Sequence, residues 1–187
     1  MDLDLWQLDQ LERFGALLAS VATDHGLIAT ADRDHVLHRH VIDCLRAVPL
    51  IDPAARCFDL GSGAGLPGVV VAIAARDVNV GLIESRRRRI AFLEFVVGSL
   101  GLPNAEILPM RIEEVHRRAD VCLARALAPA SLSWELAAPL LRPGGALIYF
   151  AGARWRARAE APRGVGLELI PSPLLESAGP LVIMTRQ

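Results

Sequence analysis

Apolar residues at Leu5, Leu8, Leu11, Phe14, Leu17, Leu18 and Val21 recur every three or four positions, the spacing of an amphipathic helix over 4–22. Val36, Leu37, Val41, Leu45 and Val48 repeat that spacing over 34–48, and Pro49 and Pro53 end it. From Cys57 onward the pattern changes to short apolar runs alternating with helical stretches. The runs predict strands over 57–60, 80–83, 106–108, 121–124, 146–150, 167–170 and 181–185. The stretches between them predict helices over 66–75, 87–100 and 131–141, with a single turn at 112–115. Gly101, Pro103, Pro143-Gly144-Gly145 and the pair Pro171 and Pro173 punctuate these elements. Residues 151–166, rich in Ala, Arg and Gly, read as an exposed loop or a short frayed helix. Alternating β and α elements predict an α/β class: a Rossmann-like, mostly parallel seven-stranded sheet with helices on both faces. The expected organisation is an N-terminal helical extension over 1–52 and a single globular domain over 53–187.

Composition narrows this picture. With 187 residues, 52% hydrophobic and 22% charged, the chain can fill one core, which excludes a disordered class. A net charge of -1 excludes a uniformly basic nucleic-acid binder. The charge is uneven: the first 60 residues are net acidic and the remainder net basic, which could orient an anionic partner. All 20 basic residues are Arg, as a GC-rich genome would produce. The longest clean apolar run, 69–75, is too short for a bilayer, and the acidic N-terminus lacks the signal-peptide pattern. No membrane partner is expected, and the expected location is cytoplasmic. Cys44, Cys57 and Cys122 have no paired spacing and read as buried thiols. His25, His35, His38 and His116 show no ligand spacing, so no metal is expected.

The chemistry concentrates in Asp59-Leu60-Gly61-Ser62-Gly63-Ala64-Gly65, between the first core strand and its helix. In an open α/β sheet the ligand crevice lies beyond the carboxyl ends of the strands, where this loop falls. Glycines there let the backbone turn and let a ligand approach it, and Asp59 can fix the loop by accepting N–H groups. Gly63-Ala64-Gly65-Leu66-Pro67-Gly68 also matches the GxGxxG dinucleotide fingerprint. Two features favour S-adenosylmethionine instead. The first glycine is Gly61, preceded by Asp59-Leu60, and Pro67 removes a donor that a pyrophosphate would use. Glu84 follows the second strand, where an acid can accept both ribose hydroxyls. Ile112 and Glu113 follow the third, where a backbone N–H and a carboxylate could address an adenine edge.

With those residues placed, the chain resembles the bacterial 16S ribosomal RNA guanine-N7 methyltransferases, also called glucose-inhibited division protein B. The resemblance rests on Asp59 through Gly68, on Leu82-Ile83-Glu84-Ser85 with Arg89-Ile90-Ala91-Phe92-Leu93, on Arg111-Ile112-Glu113-Glu114, and on Ala124-Arg125-Ala126. Upstream, Arg39-His40-Val41-Ile42-Asp43-Cys44-Leu45 is similar to the family's helix ahead of the core. It implies a class I methyltransferase using S-adenosylmethionine and releasing S-adenosylhomocysteine. It implies cofactor contacts at Gly61, Leu66, Ile112, Glu113 and Arg125, with Glu84 at the ribose and Arg125 near the methyl group. Its implied partner is ribosomal RNA in the small subunit. The chain departs from the family at Thr23 through Thr30 and at Ala151-Gly152, where the family carries a Lys-Gly pair.

Together these readings make Asp59, Gly61, Gly63, Gly65, Leu66, Glu84, Ile112, Glu113 and Arg125 the expected cofactor site, with Arg125 also the candidate catalytic group. His40, Arg86, Arg87 and Arg88 are the candidate substrate contacts, the arginines through RNA phosphates. A solvated helix face is the competing reading of the arginine run. Guanine N7 presents a lone pair and no proton, so its methylation needs alignment rather than a general base. The Asn/Asp-Pro-Pro-aromatic motif of amino-group methylation is replaced by Ala124-Arg125-Ala126-Leu127-Ala128-Pro129. A small-molecule methyltransferase on this scaffold, a non-catalytic cofactor-binding module and a nicotinamide oxidoreductase are the alternatives.

Overall fold

The computed structural model describes residues 2–23, 26–27, 40–155, 162–172 and 178–186. The sequence expectations for 28–39 and for Arg39, His25, His35, His38, Arg156 and Arg158 lie outside the described residues.

Seven strands form one sheet: β1 (Arg56–Leu60), β2 (Asn79–Ile83), β3 (Ala105–Leu108), β4 (Ala119–Arg125), β5 (Leu141–Phe150), β6 (Val165–Ile170) and β7 (Leu181–Arg186). Their order is β3-β2-β1-β4-β5-β7-β6. The first five pair in parallel, and β7 runs antiparallel to both β5 and β6. The mostly parallel, Rossmann-like α/β class expected from the sequence is the observed one. Central strands are buried along nearly their whole length, as helices on both faces require.

The helices are α1 (Leu5–Leu17), α2 (Ile42–Leu45), α3 (Gly68–Ala74), α4 (Arg87–Leu100) and α5 (Ala130–Ala137). Asp4 and Gln7 form a reciprocal capping box at the start of α1. A π-helical turn, Leu18–Ala22, continues α1. Leu11, Phe14 and Leu18 pack in one buried cluster with Val69, Val70, Ile73 and Leu93. Gln7, buried beside them, donates to Ala74 O at 3.0 Å and so caps the C-terminal end of α3. The opposite face of the sheet is covered by α5 and the 3-10 turn Ile112–Glu114.

Three expectations shift in detail. The helix expected from residue 66 begins at Gly68, because Pro67 occupies the N-cap position. The helix expected over 131–141 ends at Ala137 and passes through a 3-10 turn into β5. Pro143-Gly144-Gly145, read as a break, lies inside β5. Leu141 pairs with Ala119, the register shifts before Val121, and Gly144 takes φ +79° within that irregularity. Trp134 is only partly buried against the α5 cluster, whereas Trp155 is buried.

Candidate functional site

The chain leaves β1 toward β2 and β3 on one side, and β4 leads to β5 on the other. β1 and β4 are neighbours, with Asp59 opposite Leu123. Such a reversal of strand order opens a crevice at the carboxyl ends of the two strands. Gly61 stands at the end of β1, and Arg125 and Ala126 at the end of β4.

The glycine loop is shaped from below. Asp59 is 1% exposed, and its carboxylate accepts the Gly68 N–H at 3.0 Å while its carbonyl accepts the Ser62 hydroxyl at 3.0 Å. Burial pushes the Asp59 pKa up to about 7, against the opposing pull of the Gly68 N–H, the Ser62 hydroxyl and the Arg125 charge. A Cβ on Gly68 would lie 2.4 Å from Leu82 Cδ2 and 2.6 Å from the Asp59 carboxylate, so only glycine lets α3 begin this close to the sheet. Gly61 has φ +67°, and a Cβ there would lie 2.7 Å from Leu127 Cδ1. The first N–H of α3 is thus spent on a carboxylate, where a dinucleotide pyrophosphate would need a free donor.

Two chambers open on either side of Gly61. One, of about 380 Å³, is lined by Glu84, Ser85, Arg86, Met110, Ile112 and Glu113. The other, of about 230 Å³, is lined by His40, Ser62, Gly63, Ala64, Leu66 and Arg125. Gly61, Arg89 and Ala126 belong to both. Their combined size falls in the range of small-molecule sites, roughly 300–1,000 Å³.

Glu84, 4% exposed, holds the first chamber. Its Oε1 accepts the N–H groups of Ser85 and Arg86, each at 2.9 Å. Its Oε2 accepts Gly63 N–H at 3.1 Å and Arg89 Nη1 at 3.3 Å. These four donors match the roughly four acceptor sites of a carboxylate. The Arg89 contact is the longest of the four and the one among them made by a side chain. In the second chamber Arg125 Nη2 lies 2.9 Å from His40 Nδ1, and its Nε lies 3.5 Å from Asp43 Oδ2.

The crevice therefore brings together Gly61, Gly63, Leu66, Glu84, Ile112, Glu113, Arg125, His40 and Arg86. Asp59 and Gly65 line neither chamber and shape the loop from behind. Arg87 and Arg88 are exposed on the first turn of α4, outside both chambers. Sequence reasoning assigned no role to Asp43 or Arg46. Their signal was the spacing of His40 and Asp43, three positions apart and so on one helix face. Among the described residues no cluster of His, Cys, Asp and Glu could hold a metal, and no helix is long and apolar enough to cross a membrane.

A curated ribosomal RNA small subunit methyltransferase G of Acidothermus cellulolyticus is 43% identical over 142 residues, covering 76% of this chain and 64% of the relative. The protein of that name from Nocardioides is 42% identical over 167 residues, covering 87% and 65%. The chain thus spans just under two thirds of the length of these relatives. Among solved structures, a putative S-adenosyl-L-methionine-dependent methyltransferase of Methanococcus maripaludis superposes with a TM-score of 0.62 at 12% identity, covering 100% of this chain and 96% of that one, a likeness of fold. The family described as rRNA small subunit methyltransferase G matches residues 7–163, and the chain belongs to that family.

Proposed function

We propose that this chain transfers the methyl group of S-adenosylmethionine to guanine N7 in 16S ribosomal RNA. The observation that carries the donor is the pair of chambers meeting at Gly61, with a buried acid in one and an arginine in the other, and the acceptor is supported by the family match over residues 7–163. That division suits a ligand with a nucleoside half and an amino-acid half. When bound, S-adenosylmethionine supplies an electrophilic methyl on a sulfonium and departs as S-adenosylhomocysteine.

Glu84 would accept the ribose hydroxyls. The Ile112 N–H and Glu113 address the adenine edge, and the loop at Gly61, Gly63 and Leu66, backed by Asp59 and Gly65, carries the methionine half. Arg125 lines that chamber and would stand near the transferring methyl. No residue has to remove a proton, since N7 offers a lone pair. Catalysis is then orientation and exclusion of water, which can supply several kcal/mol of a barrier. His40 lies at the mouth of the methionine chamber, and Arg86, Arg87 and Arg88 meet RNA phosphates. The work is placed in the cytoplasm, where small subunits are assembled.

Calorimetry with S-adenosylhomocysteine and with NAD tests the donor. Binding of the first alone is expected, and binding of NAD alone would sink the reading. For the acceptor, nucleoside mass spectrometry of 16S RNA from a deletion strain should show one N7-methylguanosine fewer. An unchanged level would turn the acceptor toward a small molecule.

A further inference from the structure

Arg125 ends β4, and the strand fixes only where its backbone lies. Four side-chain torsions still separate that backbone from the guanidinium, and an arginine that must face a ligand has to be held by other groups. Two of those groups come from one helical segment. His40 Nδ1 lies 2.9 Å from Arg125 Nη2. A guanidinium can only donate, so Nδ1 accepts and the ring proton sits on Nε2. One turn further on, Asp43 Oδ2 lies 3.5 Å from Arg125 Nε.

Asp43 is itself held. Its Oδ1 lies 2.8 Å from Arg46 Nη2, and its side chain is 9% exposed. Arg46 Nη2 also donates to Gly179 O at 3.1 Å, in the segment leading into β7. A chain of alternating charge, Arg46, Asp43, Arg125, thus runs from that segment to the wall of the methionine chamber. With a cation on each side, the carboxylate cannot swing toward either one without lengthening the other pair.

We infer that Asp43 is the positioning residue of this site: anchored by Arg46, it orients the Arg125 guanidinium toward the glycine loop. What Arg125 then touches rests on the function proposed above. The orientation itself does not, and the two fail in different ways.

The test pairs Asp43→Asn, which keeps the shape and loses the charge, with Arg125→Ala and the double variant. Asp43→Asn should weaken S-adenosylhomocysteine binding about tenfold or more, as removal of a buried charge partner does. If Asp43 acts through Arg125, adding Asp43→Asn to Arg125→Ala should weaken binding no further. Independent, multiplying losses would overturn the inference. The second readout needs no ligand. In proton–nitrogen NMR spectra the Arg125 Nε–H should exchange slowly in the wild type and fast in Asp43→Asn. A signal unchanged by the substitution would overturn the inference. A wild type that shows the slow signal yet binds no S-adenosylhomocysteine would refute the methyl-donor reading and leave the positioning role standing.

Discussion

Glu84 carries four donors on two oxygens, and that crowding makes it sensitive to a change of a single atom. In Glu84→Gln an amide NH2 must face either the Gly63 N–H and Arg89, or the Ser85 and Arg86 N–H groups. Each arrangement sets donors against donors in a buried place, at a cost of about 1–3 kcal/mol. Thermal unfolding should show a lowered midpoint, and calorimetry should show weaker S-adenosylhomocysteine binding; an unaltered pair of values would mean the carboxylate is not the organising group. Asp59 sets up a pH effect. Its folded pKa, raised by burial to about 7, lies above the ordinary 3.8, so the folded state binds this proton more tightly than the unfolded one. The stability it contributes is fully present below pH 3.8 and is lost as pH rises through about 7. Denaturant midpoints should therefore fall for the wild type relative to Asp59→Asn as pH is raised across that window, and a difference that does not change with pH would contradict it. At this scale the sequence named the acids through position alone, at the ends of strands. The expectation that Asp59 fixes the loop by accepting an N–H holds, and only the structure shows that the donor is Gly68, because that depends on how close Gly68 brings α3 to β1.

At the scale of elements, α1 is the revealing case. Its spacing marks it as amphipathic, yet nothing in the residues 4–22 says which surface it covers. In the fold it lies on α3 and α4, and Phe14 is fully buried between them. Phe14→Ala should cost about 3–5 kcal/mol, the usual loss for a buried aromatic ring. Chemical denaturation is expected to show that loss in a single transition, since Phe14 shares its cluster with the sheet-facing side of α3. A separate early transition would mean that α1 melts by itself. β5 teaches the reverse lesson. Pro143-Gly144-Gly145 has the chemistry of a break, and local reasoning stops the strand there. The partner strand overrides it: β4 shifts register between Ala119 and Val121, and β5 absorbs the turn as a bulge and continues. Pairing with a neighbour distant in sequence is information that a local pattern does not contain.

Across the whole molecule the near-zero net charge hides an asymmetry, acidic over the first 60 residues and basic beyond. Arg86, Arg87 and Arg88 stand exposed at the start of α4, next to the chamber that Glu84 organises. Their neighbour Arg89 is only a third exposed and turns inward to Glu84. The run of four is thus split: Arg87 and Arg88 are surface charges, Arg86 is exposed at the edge of the chamber, and Arg89 turns into the site. Replacing Arg86, Arg87 and Arg88 by Ala should weaken RNA binding and flatten its dependence on salt, by a slope of roughly 0.7–0.9 for each phosphate no longer neutralised. Filter binding across a salt series measures it, and an unchanged slope would return the three to a solvated face. The sequence by itself determined the strand and helix succession, the parallel class and the ligand loop, because apolar period and glycine placement are local properties of a chain. Only the tertiary structure decided which residues share the crevice. Strand order brings the ends of β1 and β4 together, and helix packing brings Asp43 and Arg46 to Arg125 across about 80 residues of chain. Those contacts are set by the geometry of packing and pairing, which no stretch of sequence carries alone.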